Sequence, residues 1–280
     1  MSKHLIYCFS GSGNSLSVAK IIARSLGNAD IVLMRKPPVI TDATEAETVG
    51  FVFPCHGGGL PGKTADYIRD IRVGENTYTY GVVTYAVSPG TGLQQISDLI
   101  PLRYRTGIVH YNACIWLADA GFSLPDTTAK EAEKLAVARS WEIARKVKAR
   151  AEGEDGLTDV PLDAVTSSLW RSLQTRKSRQ MTVEAEKCTG CGTCVTVCPQ
   201  GNFEVFGGTA HLGRNCIGCL SCLQFCPTSA IGIGHLLQKR ERYHNHHVRA
   251  EDLAESVISF SRKPTRRHTE GEAEGEEADS

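Results

Sequence analysis

The stretch HLIYCFSGSGNSLSVAKIIARSL, residues 4–26, decides the fold of the first half of the chain. Residues 5–9 are apolar and are bounded by Ser and Gly, as expected for a buried strand. Apolar residues then recur at helical spacing from Leu16 to Leu26, and Gly27 supplies a stop. The stretch therefore predicts a strand, a short loop and a helix.

The loop FSGSGNS, residues 9–15, has the composition of an anion site. Its two glycines allow sharp turns and bring backbone amides near a ligand. These amides, three serine hydroxyls and the helix N-terminus together suit a phosphate. Asn14 and Ser15 replace the lysine of a P-loop, and Leu16 stands where a dinucleotide fingerprint needs Gly or Ala. A phosphate site and an ordinary turn both remain open from the loop alone.

Strand-like and helix-like segments alternate through residues 1–151, which we take as the first domain. A βαβα order predicts a doubly wound α/β fold with a parallel sheet and helices on both faces. The predicted strands cover residues 5–9, 31–34, 49–53, 80–85 and 108–117, and the predicted helices cover residues 15–26, 61–71, 92–99 and 127–151.

Three predicted strands end in small, flexible residues: FSGSGNS after the first, FPCHGGGLPG after the third and TYAVSPGTG after the fourth. In open parallel sheets, ligands gather beyond the carboxyl ends of the strands. Three such loops at one edge of the sheet therefore predict a binding site there.

Eight of the eleven cysteines lie within residues 188–226, in the runs CTGCGTCVTVCP and CIGCLSCLQFCP. Each run reads C-x-x-C-x-x-C-x-x-x-C-P, the bacterial ferredoxin pattern in which the fourth cysteine ligates the other cluster. Two four-cysteine zinc sites are the alternative, but zinc usually shows separated C-x-x-C pairs. We therefore expect two 4Fe–4S clusters, one held by Cys188, Cys191, Cys194 and Cys226, the other by Cys216, Cys219, Cys222 and Cys198.

Charge and hydropathy exclude several classes of protein. The 31 basic and 31 acidic residues cancel, so attraction to nucleic acid is not indicated. No apolar run approaches the roughly 20 residues of a membrane span, and the N-terminus lacks the pattern of an export signal. Clustered cysteines without such a signal favour metal over disulfides, and we expect a cytoplasmic protein.

The remaining segments are predicted as a connector over 152–180, the ferredoxin domain over 181–234, a C-terminal segment with a short helix over 235–262 and a disordered acidic tail over 263–280. In the connector, a basic cluster either docks an acidic partner or forms a solvated helix face. In the C-terminal segment, three histidines either form a metal site or belong to a structural segment in which the chain returns to the body of the protein. These residues are Arg171, Arg176, Lys177, Arg179, His244, His246 and His247.

The whole chain resembles a family of flavodoxin-like proteins fused to a two-cluster ferredoxin. The matching pieces are YCFSGSGNSLSVAKIIA, FVFPCHGGGLP, TYAVSPG, the paired cysteine runs and ERYHNHHVRAEDL. The resemblance implies a flavodoxin-like sheet, a smaller α+β ferredoxin domain, FMN as a cofactor and an unidentified redox partner protein.

Carried onto this sequence, the family pattern places the FMN phosphate on the first loop and the isoalloxazine ring between the other two. Flavodoxins commonly stack an aromatic on the ring from the second loop, where this chain has Cys55, His56 and Gly57. We expect His56 to stack or hydrogen-bond and Tyr85 to offer an aromatic face, and Cys55 is a candidate redox thiol. The implied residues are Ser10, Gly11, Ser12, Gly13, Asn14, Ser15, Pro54, Cys55, His56, Gly57, Gly58, Gly59, Tyr85, Ala86, Ser88 and Gly90.

Three functions follow from these features. The first is an electron-transfer flavoprotein that links FMN to two one-electron clusters. The second is an FMN-dependent oxidoreductase that acts directly on a small substrate. The third is a docking module for the ferredoxin that has lost FMN.

Overall fold

The computed structural model describes residues 2–86, 88–110, 126–157, 172, 176, 180–233 and 242–261. Residues 111–117 of the strand predicted over 108–117 and the predicted acidic tail lie outside these residues, as do Arg171, Lys177 and Arg179.

Strands and helices alternate through the first domain as its sequence pattern predicts. The strands are β1 (His4–Cys8), β2 (Ala29–Leu33), β3 (Asp42–Ala43), β4 (Thr48–Pro54), β5 (Arg72–Val73), β6 (Tyr78–Tyr85), β7 (Tyr104–Val109) and β8 (Gly153–Asp155). The helices are α1 (Asn14–Leu26), α2 (Thr64–Arg69), α3 (Gly92–Ser97) and α4 (Asp126–Lys148).

The second domain and the C-terminal segment are built from short elements. The strands are β9 (Met181–Val183), β10 (Phe203–Phe206), β11 (Thr209–Leu212), β12 (Ile231–Ile233) and β13 (Val257–Phe260), and the helices are α5 (Thr193–Val197), α6 (Ser221–Phe225) and α7 (Ala250–Ala254). β10 and β11 form an antiparallel hairpin, and β9 pairs antiparallel with β12. This small domain contains both cysteine runs.

Within the described residues, the main sheet has seven strands in the order β13-β2-β1-β4-β6-β7-β8. All neighbours from β2 to β8 are parallel, whereas β13 runs antiparallel to β2. The five longer parallel strands lie in the order 2-1-3-4-5 when they are counted along the chain, which is the flavodoxin-like arrangement. The predicted α/β fold with a second, smaller domain is confirmed.

Helices cover both faces of this sheet because side chains alternate along each strand. Ile6 in β1 packs in the same buried cluster as Ile22 in α1 and Ile143 in α4. Tyr7, the next residue in β1, belongs to the cluster on the other face, which includes Ile68 in α2 and Ile96 in α3. The order of the strands reverses between β1 and β4, so ligands are expected beyond the carboxyl ends of these two strands.

Two edge strands lie where the sequence pattern predicts none. Gly153–Asp155 falls in the predicted connector, yet it pairs with β7 and extends the sheet. The short helix predicted within residues 235–262 is α7 and ends at Ala254, and the β-branched stretch that follows pairs with β2 as β13. The C-terminal segment is thereby tied to the first domain.

Candidate functional site

The three loops predicted to form a site meet at the carboxyl edge of the sheet. Ser15 at the start of α1 shares a buried hydrogen bond with Thr84 in β6, at 2.8 Å between the hydroxyl oxygens. The amide of Cys55 donates to the carbonyl oxygen of Thr84, also at 2.8 Å. The amide and hydroxyl of Thr91 both donate to Gly58 O. These bonds join the loops after β1, β4 and β6.

The loop after β1 turns at Gly13, whose φ of 94° lies in the left-handed region that favours glycine. The amide of Leu16 donates to Ser10 Oγ at 3.3 Å, and Ser17 N donates to Gly13 O at 2.9 Å. The first amides of a helix lack partners within the helix, so those around Asn14 are directed at the loop. Gly11, Gly13, Asn14 and Ser15 are buried, and Ser10 and Ser12 are partly exposed.

One side-chain donor in this loop is unsatisfied. Asn14 is 3% exposed, and its Nδ2 atom has no hydrogen-bond partner among the described residues. Such a buried donor is costly unless it binds an acceptor. The loop therefore has the geometry of an anion site and a donor that lacks an acceptor.

The loop after β4 is a tight turn closed by reciprocal bonds between His56 and Gly59, at 2.9 and 3.1 Å. Gly57 and Gly58 have φ of 54° and 79°, which suit glycine. The ring of His56 is partly exposed and lies edge-on to Phe9, with 6.1 Å between the ring centroids. Desolvation lowers the pKa of His56 to about 4, so the imidazole is neutral at pH 7. Pro54 and Cys55 are also partly exposed.

The loop after β6 presents backbone more than side chains. Tyr85 is buried, its hydroxyl donates to Gly156 O at 3.2 Å, and its ring lies against Gly107 in β7. The aromatic ring of Tyr85 therefore packs against the face of the sheet. Ala86 is partly exposed, whereas Ser88 accepts a hydrogen bond from the amide of Gly90 at 3.2 Å.

The eight clustered cysteines line two cavities. Each cavity is lined by three cysteines of one run and the last cysteine of the other run, as crossed ligation requires. The first is lined by Cys188, Cys191, Cys194 and Cys226, the second by Cys216, Cys219, Cys222 and Cys198.

Backbone amides donate to several of these sulfurs. Asn202 N donates to Cys198 Sγ and Ala230 N donates to Cys226 Sγ, both at 3.3 Å and both four residues after the cysteine. Ala210 N donates to Cys188 Sγ at 3.4 Å. Amide donors at thiolates stabilise negative charge and tune the reduction potential of an iron–sulfur centre.

Burial and mutual repulsion disfavour free thiolates in these cavities. Burial raises the pKa of Cys194 to about 11, and it raises the pKa of Cys219 to about 11 as well. Burial also raises the pKa of Cys222 well above its usual value, with repulsion from Cys219 and Cys216 adding to the effect. A bound cation would offset these costs, and metal binding would release these protons.

The two predicted sites touch each other. A Cβ placed on Gly11 in the loop after β1 would lie 2.4 Å from the carbonyl oxygen of Cys219. Gly62, beyond the loop after β4, lies beside the Ile217 side chain. The second cavity is therefore the one next to the candidate anion site.

Arg35 adds a cation to this contact. Its guanidinium donates to Thr196 O at 3.1 Å, to Cys198 O at 3.5 Å and to Leu253 O. Burial lowers the pKa of Arg35, but an arginine remains charged at neutral pH. A positive charge of the first domain thus lies beside the last cysteine of the first run.

The C-terminal histidines do not converge. The ring of His244 stacks on Phe225 with centroids 4.6 Å apart, and His246 and His247 are exposed. Among the described residues, no three His, Cys, Asp or Glu side chains are grouped to hold a single metal ion. No helix among the described residues of the chain is both long and apolar enough to cross a membrane.

Comparisons with known proteins identify the second domain. Residues 180–227 match the family model described as a 4Fe-4S dicluster domain. A comparison with curated proteins gave no match. The segment is therefore an iron–sulfur domain of the ferredoxin type.

Two solved structures are similar to part of this chain. An azoreductase from Bacillus anthracis str. Sterne is 9% identical with a TM-score of 0.36, over 51% of this chain and 99% of that one. Rubredoxin oxygen:oxidoreductase from the anaerobe Desulfovibrio gigas is 19% identical with a TM-score of 0.30, over 54% of this chain and 37% of that one.

Sequence reasoning missed the contacts that join the two domains. Arg35, Tyr243 and Asn245 contact loops that are distant in the sequence. The segment ERYHNHHVRAEDL marks Tyr243 and Asn245, but no local pattern indicates the partners of the three residues, which are set by tertiary packing.

Proposed function

We propose that the protein is an electron-transfer iron–sulfur flavoprotein that binds FMN on its first domain and two 4Fe–4S clusters on its second. The observation that carries the proposal is the contact between Gly11 and the carbonyl of Cys219. It brings a loop suited to a flavin phosphate against a ligand of the second predicted cluster.

The residues of the first loop fit a flavin phosphate. The buried Nδ2 atom of Asn14 is a donor without a partner among the described residues. The hydroxyls of Ser10 and Ser12 and the N-terminus of α1 supply further donors. The ring would lie between the loops 54–60 and 85–90, where His56 is a neutral imidazole that can donate or accept a hydrogen bond.

The clusters fit the two cavities lined by the crossed cysteine sets. When bound, FMN exchanges one or two electrons and each cluster exchanges one, so the cofactors supply the chemistry. The chain contributes position, amide donors at the sulfurs and the charge of Arg35 beside Cys198. The partner is a redox protein, and thiolate-bound clusters suit a reducing compartment such as the cytoplasm.

Anaerobic purification with flavin, iron and sulfide analysis tests the proposal. We expect about one FMN, eight irons and eight sulfides per chain, because each 4Fe–4S cluster contributes four of each. Iron and sulfide without flavin would favour the docking module, and zinc in their place would refute the clusters. Rapid turnover of a small oxidant without a partner protein would instead favour direct substrate chemistry.

A further inference from the structure

Residues 243–248, YHNHHV, form a bridging segment between the two domains. Tyr243 N donates to Gln224 Oε1 on α6 at 2.9 Å. Two residues later, Asn245 N donates to Ser12 O in the loop after β1 at 2.8 Å. The bridging segment therefore connects a helix of the iron–sulfur domain to the candidate phosphate loop.

The hydrogen bonds of Asn245 have a defined direction. The backbone amide of His247 can only donate, and it bonds to Asn245 Oδ1 at 3.0 Å. The other side of the Asn245 amide is therefore Nδ2, a donor, and it lies 3.1 Å from Asn14. The Asn14 atom that receives this bond must be Oδ1. The hydroxyl of Tyr243 donates to the same oxygen at 2.9 Å.

Two donors on Oδ1 fix the orientation of the Asn14 amide, so that its Nδ2 atom faces the other way. That atom is the buried donor without a partner among the described residues. Asn14 is also the first residue of α1, a helix of 13 residues whose N-terminus favours negative charge. An acceptor with negative charge satisfies both features.

We propose that Asn245 and Tyr243 are positioning residues that hold the Asn14 amide as a donor to a phosphate oxygen of the bound flavin. This inference rests on the proposed function, because it takes FMN as the ligand of the first domain. FMN affinity then depends on the bridging segment and on the docked iron–sulfur domain. The role assigns a function to Tyr243 and Asn245 of the YHNHHV motif without a metal.

Asn245→Asp tests the inference because it keeps the shape of the side chain and reverses its polarity. The carboxylate still accepts the bond from His247 N, but it has no proton to donate to Asn14. The Asn14 amide must then rotate and turn its oxygen toward the phosphate. We expect FMN affinity to fall about tenfold or more, the scale of a hydrogen bond to a charged group. Riboflavin, which lacks the phosphate, should change by less than about twofold.

The measurement is calorimetric titration of FMN and riboflavin into full-length protein that retains its clusters but has been stripped of flavin. The new charge could itself repel the phosphate, so the variant is compared in an Asn14→Ala background. If Asn245 acts through Asn14, the loss of FMN affinity caused by Asn245→Asp should be much smaller in the Asn14→Ala background than in the wild-type background. If the new charge simply repels the phosphate, the loss should be the same in both backgrounds. Tyr243→Phe removes one donor without adding a charge and should give a smaller loss of FMN affinity.

Equal losses in the two backgrounds, unchanged FMN affinity or a parallel loss of riboflavin affinity would each overturn the inference and leave the proposed function standing. Wild-type protein that binds no FMN would overturn both. If the Asn245→Asp protein loses its cluster absorbance, the FMN and riboflavin affinities of Tyr243→Phe test the inference instead. A loss confined to FMN then supports the inference, and unchanged affinity refutes it.

Discussion

The loop after β1 approaches the iron–sulfur domain most closely where Gly11 faces Cys219, since a Cβ on Gly11 would lie 2.4 Å from the Cys219 carbonyl oxygen. No real side chain tolerates this distance, and the obstacle is backbone. Glycine at position 11 is therefore required for the two domains to dock.

We predict that Gly11→Ala separates the domains or shifts their contact. Overpacking of this kind costs about 1–3 kcal/mol. Gly62→Ala is the matched control, because its Cβ would lie 3.3 Å from Ile217 Cβ, a distance that a shift of a few tenths of an ångström relieves. Thermal unfolding of both variants tests the prediction. Equal melting temperatures for the two variants would argue against a rigid contact at Gly11.

We predict that Cys198→Ser damages the cluster bound by the second run. Cys198 belongs to the first run, but it lines the cavity with Cys216, Cys219 and Cys222. The reciprocal change, Cys226→Ser, should damage the cluster bound by the first run. Electron paramagnetic resonance of each reduced variant distinguishes the centres. Crossed ligation is refuted if each serine disturbs the cluster of its own run.

Much of the fold follows from the sequence because its periodicities are strong. Residues 5–9 differ from β1 by one position at each end, and the helix predicted over 15–26 differs from α1 by one residue. The cavities group the cysteines as the ferredoxin spacing predicts. These features depend on local pattern, which a single sequence contains.

The contacts between the domains could not be predicted in this way. Nothing near Asn14 indicates that Asn245 binds its side chain, because 231 positions separate the two residues. Strand β13 was missed for a related reason, since four residues after a helix show little periodicity of their own. Tertiary pairing decided both features.

We predict that Ser10→Ala weakens FMN binding with little effect on riboflavin. Ser10 Oγ accepts a hydrogen bond from the amide of Leu16, so the hydroxyl proton of Ser10 can be donated to a phosphate oxygen. Loss of a hydrogen bond to a charged group costs about 1.5–3 kcal/mol, roughly a tenfold to hundredfold loss in affinity. Titration with both flavins measures it. The phosphate lies elsewhere if both affinities fall equally.

We predict that Arg35→Met lowers the reduction potential of the second cluster. Reduction adds negative charge, and the guanidinium beside the Cys198 carbonyl stabilises that charge. Arg69→Met on the surface is the control, because Arg69 pairs with Asp66 in its own helix. Redox titration followed by electron paramagnetic resonance gives the potential. An unchanged or raised potential in Arg35→Met would contradict the prediction.

The final prediction concerns stability at mildly acidic pH. His110 is 5% exposed, and burial lowers its pKa to about 4 from the usual 6.5. The unfolded chain therefore binds a proton as the pH falls through 6.5, whereas the folded chain stays neutral, so stability is complete above about pH 7 and declines toward pH 4. Between pH 7 and 5.5 the loss from this residue is about 1 kcal/mol. Denaturant unfolding of His110→Gln should show a smaller decline over that interval than the wild-type protein. His56→Gln should also decline less than the wild-type protein, since desolvation lowers the pKa of His56 to about 4 as well. A decline of the same size in wild type and His110→Gln would show that folding does not lower the pKa of His110.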